Sequence, residues 1–267
     1  MVFLFLNMHK PIGIFDSGVG GTSIWKELHH LMPNESTIYL ADSKNAPYGE
    51  KPKEEILRLS IKKTELLLEM GAKIIVVACN TATTNAIEHL RKNYNVPFIG
   101  IEPAIKPAAL QTKTKKVGVL ATKGTLSSSL FHNTSKLYTS GIEVYEQEGK
   151  GLVELIESGL QNPIEVKNLL EKILEPILLE EVDCLVLGCT HYPYLIPILK
   201  DILPKDINIV DSGAAVAQQT KNVLKKNGLL NFEKKIKLTY RFYSNSDIGV
   251  LKKLINNNQV TVSYLDF

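Results

Sequence analysis

Two cysteines stand in matching surroundings. Cys79 follows the apolar run Ile74-Ile75-Val76-Val77-Ala78 and precedes Asn80-Thr81; Cys189 follows Cys184-Leu185-Val186-Leu187-Gly188 and precedes Thr190-His191. A thiol ionises near pH ~8.5, so a modest push supplies some thiolate at neutral pH. One thiolate and one thiol on either side of a small bound molecule suit the removal of a proton from one face and its delivery to the other. A carbon-bound hydrogen is only weakly acidic, so amides and hydroxyls must also stabilise the charge that develops. Each cysteine is placed before a helix start, where unpaired amides attract carboxylates, with Asn80, Thr81 and Thr190 as candidate caps. Taken alone, a free cysteine is more often a small buried hydrophobe. Cys184, inside an apolar strand with no polar neighbour after it, is read that way.

The elements that must position these thiols are legible as an alternation. Short apolar runs at Ile12–Phe15, Thr37–Leu40, Ile74–Ala78, Phe98–Ile101, Val117–Ala121, Ile142–Tyr145, Cys184–Gly188 and Ile207–Val210 read as buried strands. Amphipathic segments lie between them: Ser23–Leu31, Lys53–Met70, Thr83–Lys92, Leu152–Ser158, Glu165–Leu179 and Ala214–Asn227. The pattern predicts an α/β fold whose mostly parallel sheets are covered by helices. It also repeats. Ile12-Gly13-Ile14-Phe15-Asp16-Ser17 resembles Val117-Gly118-Val119-Leu120-Ala121-Thr122, and the run Lys73–Thr81 resembles Asp183–His191. Two similar, pseudo-symmetric domains follow, each with a cysteine at the C-terminal end of a buried strand. Ligands of parallel sheets gather at that edge, so the active site is expected in the cleft between the domains. Pro103 and Pro107 suggest one crossover, and Asp211-Ser212-Gly213 a second. The expected limits are 1–102 plus 213–267 for the first domain and 103–212 for the second. The tail adds strands near Lys237–Tyr243 and Val260–Tyr264 and a helical run at Ile248–Ile255.

Composition removes other classes. Of 267 residues, 44% are hydrophobic and 22% charged, which argues against disorder. Lys and Arg number 31 against 28 Asp and Glu, with no long block of either sign, so the electrostatic footprint of a nucleic-acid or membrane-surface binder is missing. Three cysteines without a CxxC pair make neither a disulfide framework nor a zinc or dithiol site. The opening Met1–Leu6 is shorter than a signal-peptide core and lacks a basic leader, and no stretch reaches the ~20 apolar residues of a membrane span. A cytoplasmic protein with free thiols is expected.

Four segments together resemble the signature set of the glutamate racemases, within the wider aspartate/glutamate racemase superfamily. They are Asp16-Ser17-Gly18-Val19-Gly20-Gly21, Pro47-Tyr48-Gly49, Ala78-Cys79-Asn80-Thr81-Ala82 and Gly188-Cys189-Thr190-His191-Tyr192-Pro193. The resemblance implies that Cys79 and Cys189 are the acid/base pair, acting with neither pyridoxal phosphate nor metal. It implies that Asp16 assists the first thiol and His191 the second. Glu157 matches the assisting glutamate best, with Glu154 as a competitor on the same helix. Asp16, Ser17, Tyr48, Gly49, Asn80, Thr81, Thr190 and His191 resemble substrate-binding positions. L- and D-glutamate as substrate, supply of D-glutamate for peptidoglycan precursors, and a homodimer are implied in the same way.

The same residues have plainer explanations. Asp16 and Ser17 precede a helix and could cap it, as Asp211-Ser212-Gly213 does before Ala214; His191 could donate to a backbone carbonyl; Tyr48-Gly49 after Pro47 reads as a turn. His29 and His30 end a helix, where the dipole favours them. Gly18-x-Gly20-Gly21 is not the dinucleotide spacing. Two functional alternatives stay open on residue chemistry: racemisation of aspartate or a related acid, and a non-catalytic protein that binds a small acid with its cysteines as packing residues.

Overall fold

The computed structural model describes residues 8–233 and 237–267; the apolar opening at 1–6 lies outside them. Among the described residues ten strands form two sheets. The first has the order β10-β9-β2-β1-β3-β4, built from β1 (Ile12–Asp16), β2 (Thr37–Ala41), β3 (Ile74–Val77), β4 (Phe98–Gly100), β9 (Tyr240–Ser244) and β10 (Val260–Tyr264). The second has the order β6-β5-β7-β8, built from β5 (Lys116–Ala121), β6 (Glu143–Glu148), β7 (Cys184–Gly188) and β8 (Asn208–Val210). Every pairing among them is parallel.

Strands β2-β1-β3-β4 of the first sheet and β6-β5-β7-β8 of the second share one order, which is the structural form of the sequence repeat. In each half a helix crosses over between the second and third strands: Lys53–Glu69 before β3 and Pro163–Leu178 before β7. Both helices lie close over a glycine of the leading strand. A Cβ on Gly13 would meet Leu67 Cβ of the first helix at 3.3 Å and Ala72 Cβ, just past its end, at 2.8 Å; one on Gly118 would meet Ile177 Cγ2 of the second at 2.6 Å. The repeated glycine therefore sets how near the crossover comes to the sheet.

Strands β1, β2, β3 and β7 are buried at every position because both faces of the sheet are covered there. Within β1, Ile12 and Ile14 join the core that contains Trp25 and Leu28, while Phe15 joins the opposite core with Ile38, Leu40 and Leu67. The first of these cores runs on without a break into Leu152, Ile156, Leu185 and Tyr192 of the second half, so the two halves pack directly. Helix Gly213–Lys226 returns the chain to the first half, against helix Thr22–Leu31.

Several local expectations are corrected. Pro107 does not break the chain; it sits in the first turn of helix Ile105–Gln111, where its missing N–H costs nothing. Three further helices, Lys123–Leu126, Ser129–Tyr138 and Ile196–Ile202, went unread, the first being a single turn of four residues. Strand β6 runs past Tyr145 to Glu148; as an edge strand it is half-exposed and carries polar residues. The tail strand begins at Tyr240, later than the expected Lys237. No described helix is long and apolar enough to cross a membrane.

Candidate active site

The ends of β1, β3 and β7 converge where the two halves meet. Cys79 lies two residues beyond β3 and Cys189 directly after β7; both are buried. They line one nearly closed cavity, with room for about one water, together with Ser17, Tyr48, Gly49, Asn80, Thr81, Thr190 and His191. Asp16 and Glu157 stand behind that lining and reach it through hydrogen bonds.

On the Cys79 side, the thiol itself caps helix Asn80–Asn93: its sulfur accepts the Ala82 amide at 3.4 Å. Asn80 and Thr81, expected as caps, are instead the first helical residues. Cys79 Sγ donates to Ser17 Oγ at 3.6 Å, and Ser17 Oγ donates to Asp16 Oδ1 at 3.3 Å. Asp16 also accepts the amides of Ser17 at 2.7 Å and Gly21 at 2.6 Å, bracing the loop before helix Thr22–Leu31; neither it nor Ser17 is the cap, which is Gly21 with no side-chain bond. Burial pushes the Asp16 carboxyl up to about 6, despite the opposing pull of His191 and the two amides. Burial likewise pushes the Cys79 thiol up, and the Asp16 charge adds to that, outweighing the Ala82 amide.

On the Cys189 side, His191 Nδ1 lies 3.7 Å from Cys189 Sγ, and His191 Nε2 meets Glu157 Oε1 at 2.6 Å. Burial alone would hold the imidazole neutral; hydrogen bonds and charge from Cys189 and Glu157 overcome it and raise His191 well above its ordinary value. Glu157 answers in the opposite sense: burial raises its carboxyl, but His191, the Val19 amide and Ser43 bring it below the usual range. The geometry separates the two competing glutamates. Glu157 touches His191, whereas Glu154 lies on the exposed face of helix Leu152–Glu157, at an outer pocket. Thr190 caps no helix; its hydroxyl reaches across to Asp16 Oδ2 at 3.4 Å.

The Asp16–Gly21 loop is a cradle for groups arriving from the other half. A Cβ on Gly18 would fall 1.9 Å from Glu157 Oε1, and one on Gly20 would fall 2.3 Å from His191 Nδ1. The glycines therefore clear space for the His191–Glu157 pair, and the Val19 amide between them donates to Glu157 at 2.6 Å.

Asn80 is the clearest mark of a ligand. It is 3% exposed, lines the cavity, and neither end of its amide has a hydrogen-bond partner. A buried amide with both ends unmet awaits an occupant with donors and acceptors. Tyr48 lines the cavity too, but its hydroxyl is committed to Asp42 at 2.5 Å, leaving its ring and neighbouring backbone for an occupant. The sequence reading missed Thr122 and Val153, which also line the cavity. Thr122 hydrogen-bonds Thr81 across the halves at 2.9 Å. The signal for it was present, since the repeat aligns Thr122 with Ser17. No group of His, Cys, Asp and Glu among the described residues is arranged to hold a metal ion.

Paired thiols across one small chamber, each backed by a carboxylate on a doubled parallel α/β fold, place the protein among isomerases that move a proton between two faces. Comparison with known proteins agrees. Residues 21–220 match the family model for Asp/Glu/hydantoin racemases. The glutamate racemase of Ectopseudomonas mendocina is 46% identical over 246 residues, covering 92% of this chain and 93% of its own. That of Pseudomonas aeruginosa PAO1 is 46% identical over 220 residues, covering 82% and 83%. Among solved structures, Escherichia coli glutamate racemase, in complex with L-glutamate and the activator UDP-MurNAc-Ala, superposes with a TM-score of 0.84 at 32% identity, covering 96% of this chain and 97% of that one. Francisella tularensis glutamate racemase, in complex with D-glutamate, gives 0.83 at 28%, covering 97% and 98%. The chain belongs to the Asp/Glu/hydantoin racemase family, among the glutamate racemases.

Proposed function

We propose that this protein interconverts L- and D-glutamate, with Cys79 and Cys189 as the two acid/base groups. The observation that carries the mechanism is that both thiols line one cavity, each joined to its own carboxylate. In one direction Cys189 as thiolate takes the α-hydrogen, and Cys79 as thiol gives its proton to the opposite face. The product leaves Cys189 protonated and Cys79 ionised, and the reverse reaction starts from that state. His191 with Glu157 is the route by which Cys189 sheds the proton it has taken, and Ser17 with Asp16 the route by which Cys79 regains the one it gave. The carboxylates of glutamate bind at the unpaired Asn80 amide, the Thr81 and Thr190 hydroxyls and the Ser17 and Gly49 backbone, which also stabilise charge at the α-carbon. Supply of D-glutamate to peptidoglycan precursors, a homodimer, a cytoplasmic location and domain limits at 102/103 and 212/213 belong to the same reading.

Incubation with L-glutamate in deuterium oxide tests it. Loss of optical rotation with deuterium at the α-carbon is expected, and L-aspartate under the same conditions turns over much more slowly. Binding without exchange would favour the non-catalytic alternative. Run against pH, kcat/KM falls as pH drops through about 6, since protonated Asp16 can no longer receive the Cys79 proton.

The cradle makes a steric prediction. Gly20→Ala pushes a methyl into the His191 ring, and a displacement of that size costs about a hundredfold in kcat/KM. Steady-state kinetics beside a thermal melt separate this loss from unfolding.

A further inference from the structure

Glu157 belongs to the second half of the molecule, yet two of its three hydrogen-bond donors come from the first. Its Oε1 accepts His191 Nε2 and the Val19 amide, both at 2.6 Å. Its Oε2 accepts Ser43 Oγ at 2.8 Å. Ser43 thus serves the carboxylate oxygen that faces away from the imidazole.

The turn Ser43–Asn45 is held firmly on both sides. Asp42, fully buried, forms an ion pair with the equally buried Lys63 and accepts from Tyr48 Oη, Asn45 Nδ2 and Asn245 Nδ2. On the other flank the Lys44 amide donates to Asn245 Oδ1 at 3.0 Å. An otherwise solvent-facing turn has no need of so many buried anchors. A turn that must aim one hydroxyl does, because a supporting group fixes its partner only when its own position is fixed.

We infer that Ser43 is a positioning residue for the reaction at Cys189: its hydroxyl orients Glu157, and through Glu157 the His191 imidazole, so that this half of the acid/base machinery is complete only when the two halves of the molecule are docked. The inference rests on the reading of Cys189 as an acid/base group. It also makes the two thiols unequal in their dependence on Ser43, because the Cys79 side runs through Ser17 and Asp16, with the Thr190 hydroxyl at Asp16 Oδ2, and does not involve Ser43.

The test uses full-length Ser43→Ala and Ser43→Thr with α-deuterated L- and D-glutamate. Ser43→Ala is expected to lower kcat about tenfold, the worth of one hydrogen bond to a charged group, while KM stays within about twofold. The primary isotope effect on kcat/KM should rise for the hand whose α-hydrogen Cys189 removes, since that step slows. It should fall for the other hand, where reprotonation by Cys189 becomes the slow step. Ser43→Thr, which keeps the hydroxyl, should restore both. Isotope effects that move together or not at all, or a Ser43→Thr as slow as Ser43→Ala, would overturn the assignment of Ser43 alone. A wild-type protein that exchanges no α-hydrogen in deuterium oxide would overturn the racemase reading and this inference with it.

Discussion

Cys79→Ala is expected to stop racemisation while leaving proton exchange alive for one hand of the substrate. Cys189 still stands on its face of the cavity with His191 and Glu157 behind it, so it removes the α-hydrogen from the enantiomer presented to it. With no donor opposite, it returns a solvent-derived proton to the same face. Deuterium should therefore enter without inversion, and only from one enantiomer. Cys189→Ala should show the mirror result with the other. Removing a positioned acid/base group costs about 10²–10⁴ in rate, and inversion needs both, so the fall in racemisation belongs at the upper end of that range. Both thiols are small and buried, and replacing a thiol by a methyl group leaves little void, so thermal melts should change far less than activity. Exchange from both hands in either single variant, or full racemisation in one, would refute the two-thiol mechanism.

Glu157→Gln should give the second large effect. The amide keeps the shape of the carboxylate but not its charge, so His191 Nε2 loses its anionic partner while the Val19 amide and Ser43 hydroxyl can still be met. Burial then governs His191, which loses its charge at neutral pH, and Cys189 loses the cationic partner beside it. A fall of about a hundredfold in kcat is expected. Glu154→Gln, on the exposed side of the same helix, should stay within about twofold. Stability should follow, since breaking a buried pair from one side costs about 3 kcal/mol. The sign with pH is fixed by the two partners. The raised His191 contributes fully below its ordinary 6.5 and fades as pH rises through its higher folded value; the lowered Glu157 contributes fully above its ordinary 4.5 and fades as pH falls through its lower folded value. The gap between wild type and variant should be widest between pH 4.5 and 6.5, as chemical denaturation across that range can measure.

Much of the fold was legible because its strands are buried on both faces. Runs such as Ile74–Val77 and Cys184–Gly188 are apolar at every position, and the internal repeat exposed both the equivalence of β1 with β5 and the matched thiols. What escaped was what burial does not write. Strand β6, at an edge, carries Glu143, Glu146 and Glu148, and its polar end hid its length. Helix Lys123–Leu126 is a single turn, too short to show a period, and in Ser129–Tyr138 polar Ser, Thr, Asn and His residues surround a short apolar stripe. In the site, residues named by short motifs came together, but those that act through long-range contact did not announce themselves. Ser43 is 114 positions from Glu157, and nothing in the spacing links them. The choice between Glu154 and Glu157 likewise needed the helix face to be seen, because both lie in one amphipathic turn.

The cavity between the sulfurs holds scarcely a water, and it is pinned by the Thr81–Thr122 bond at its rim. Glutamate is several times larger, so an arriving molecule must part the walls and a departing one must part them again. Chemistry and traffic thus depend on the same walls, and a mutation that loosens the Thr81–Thr122 contact is expected to speed release at the expense of alignment. Thickening the medium with an inert viscogen should slow turnover whenever the parting of the walls, and not the sulfur chemistry, sets the pace.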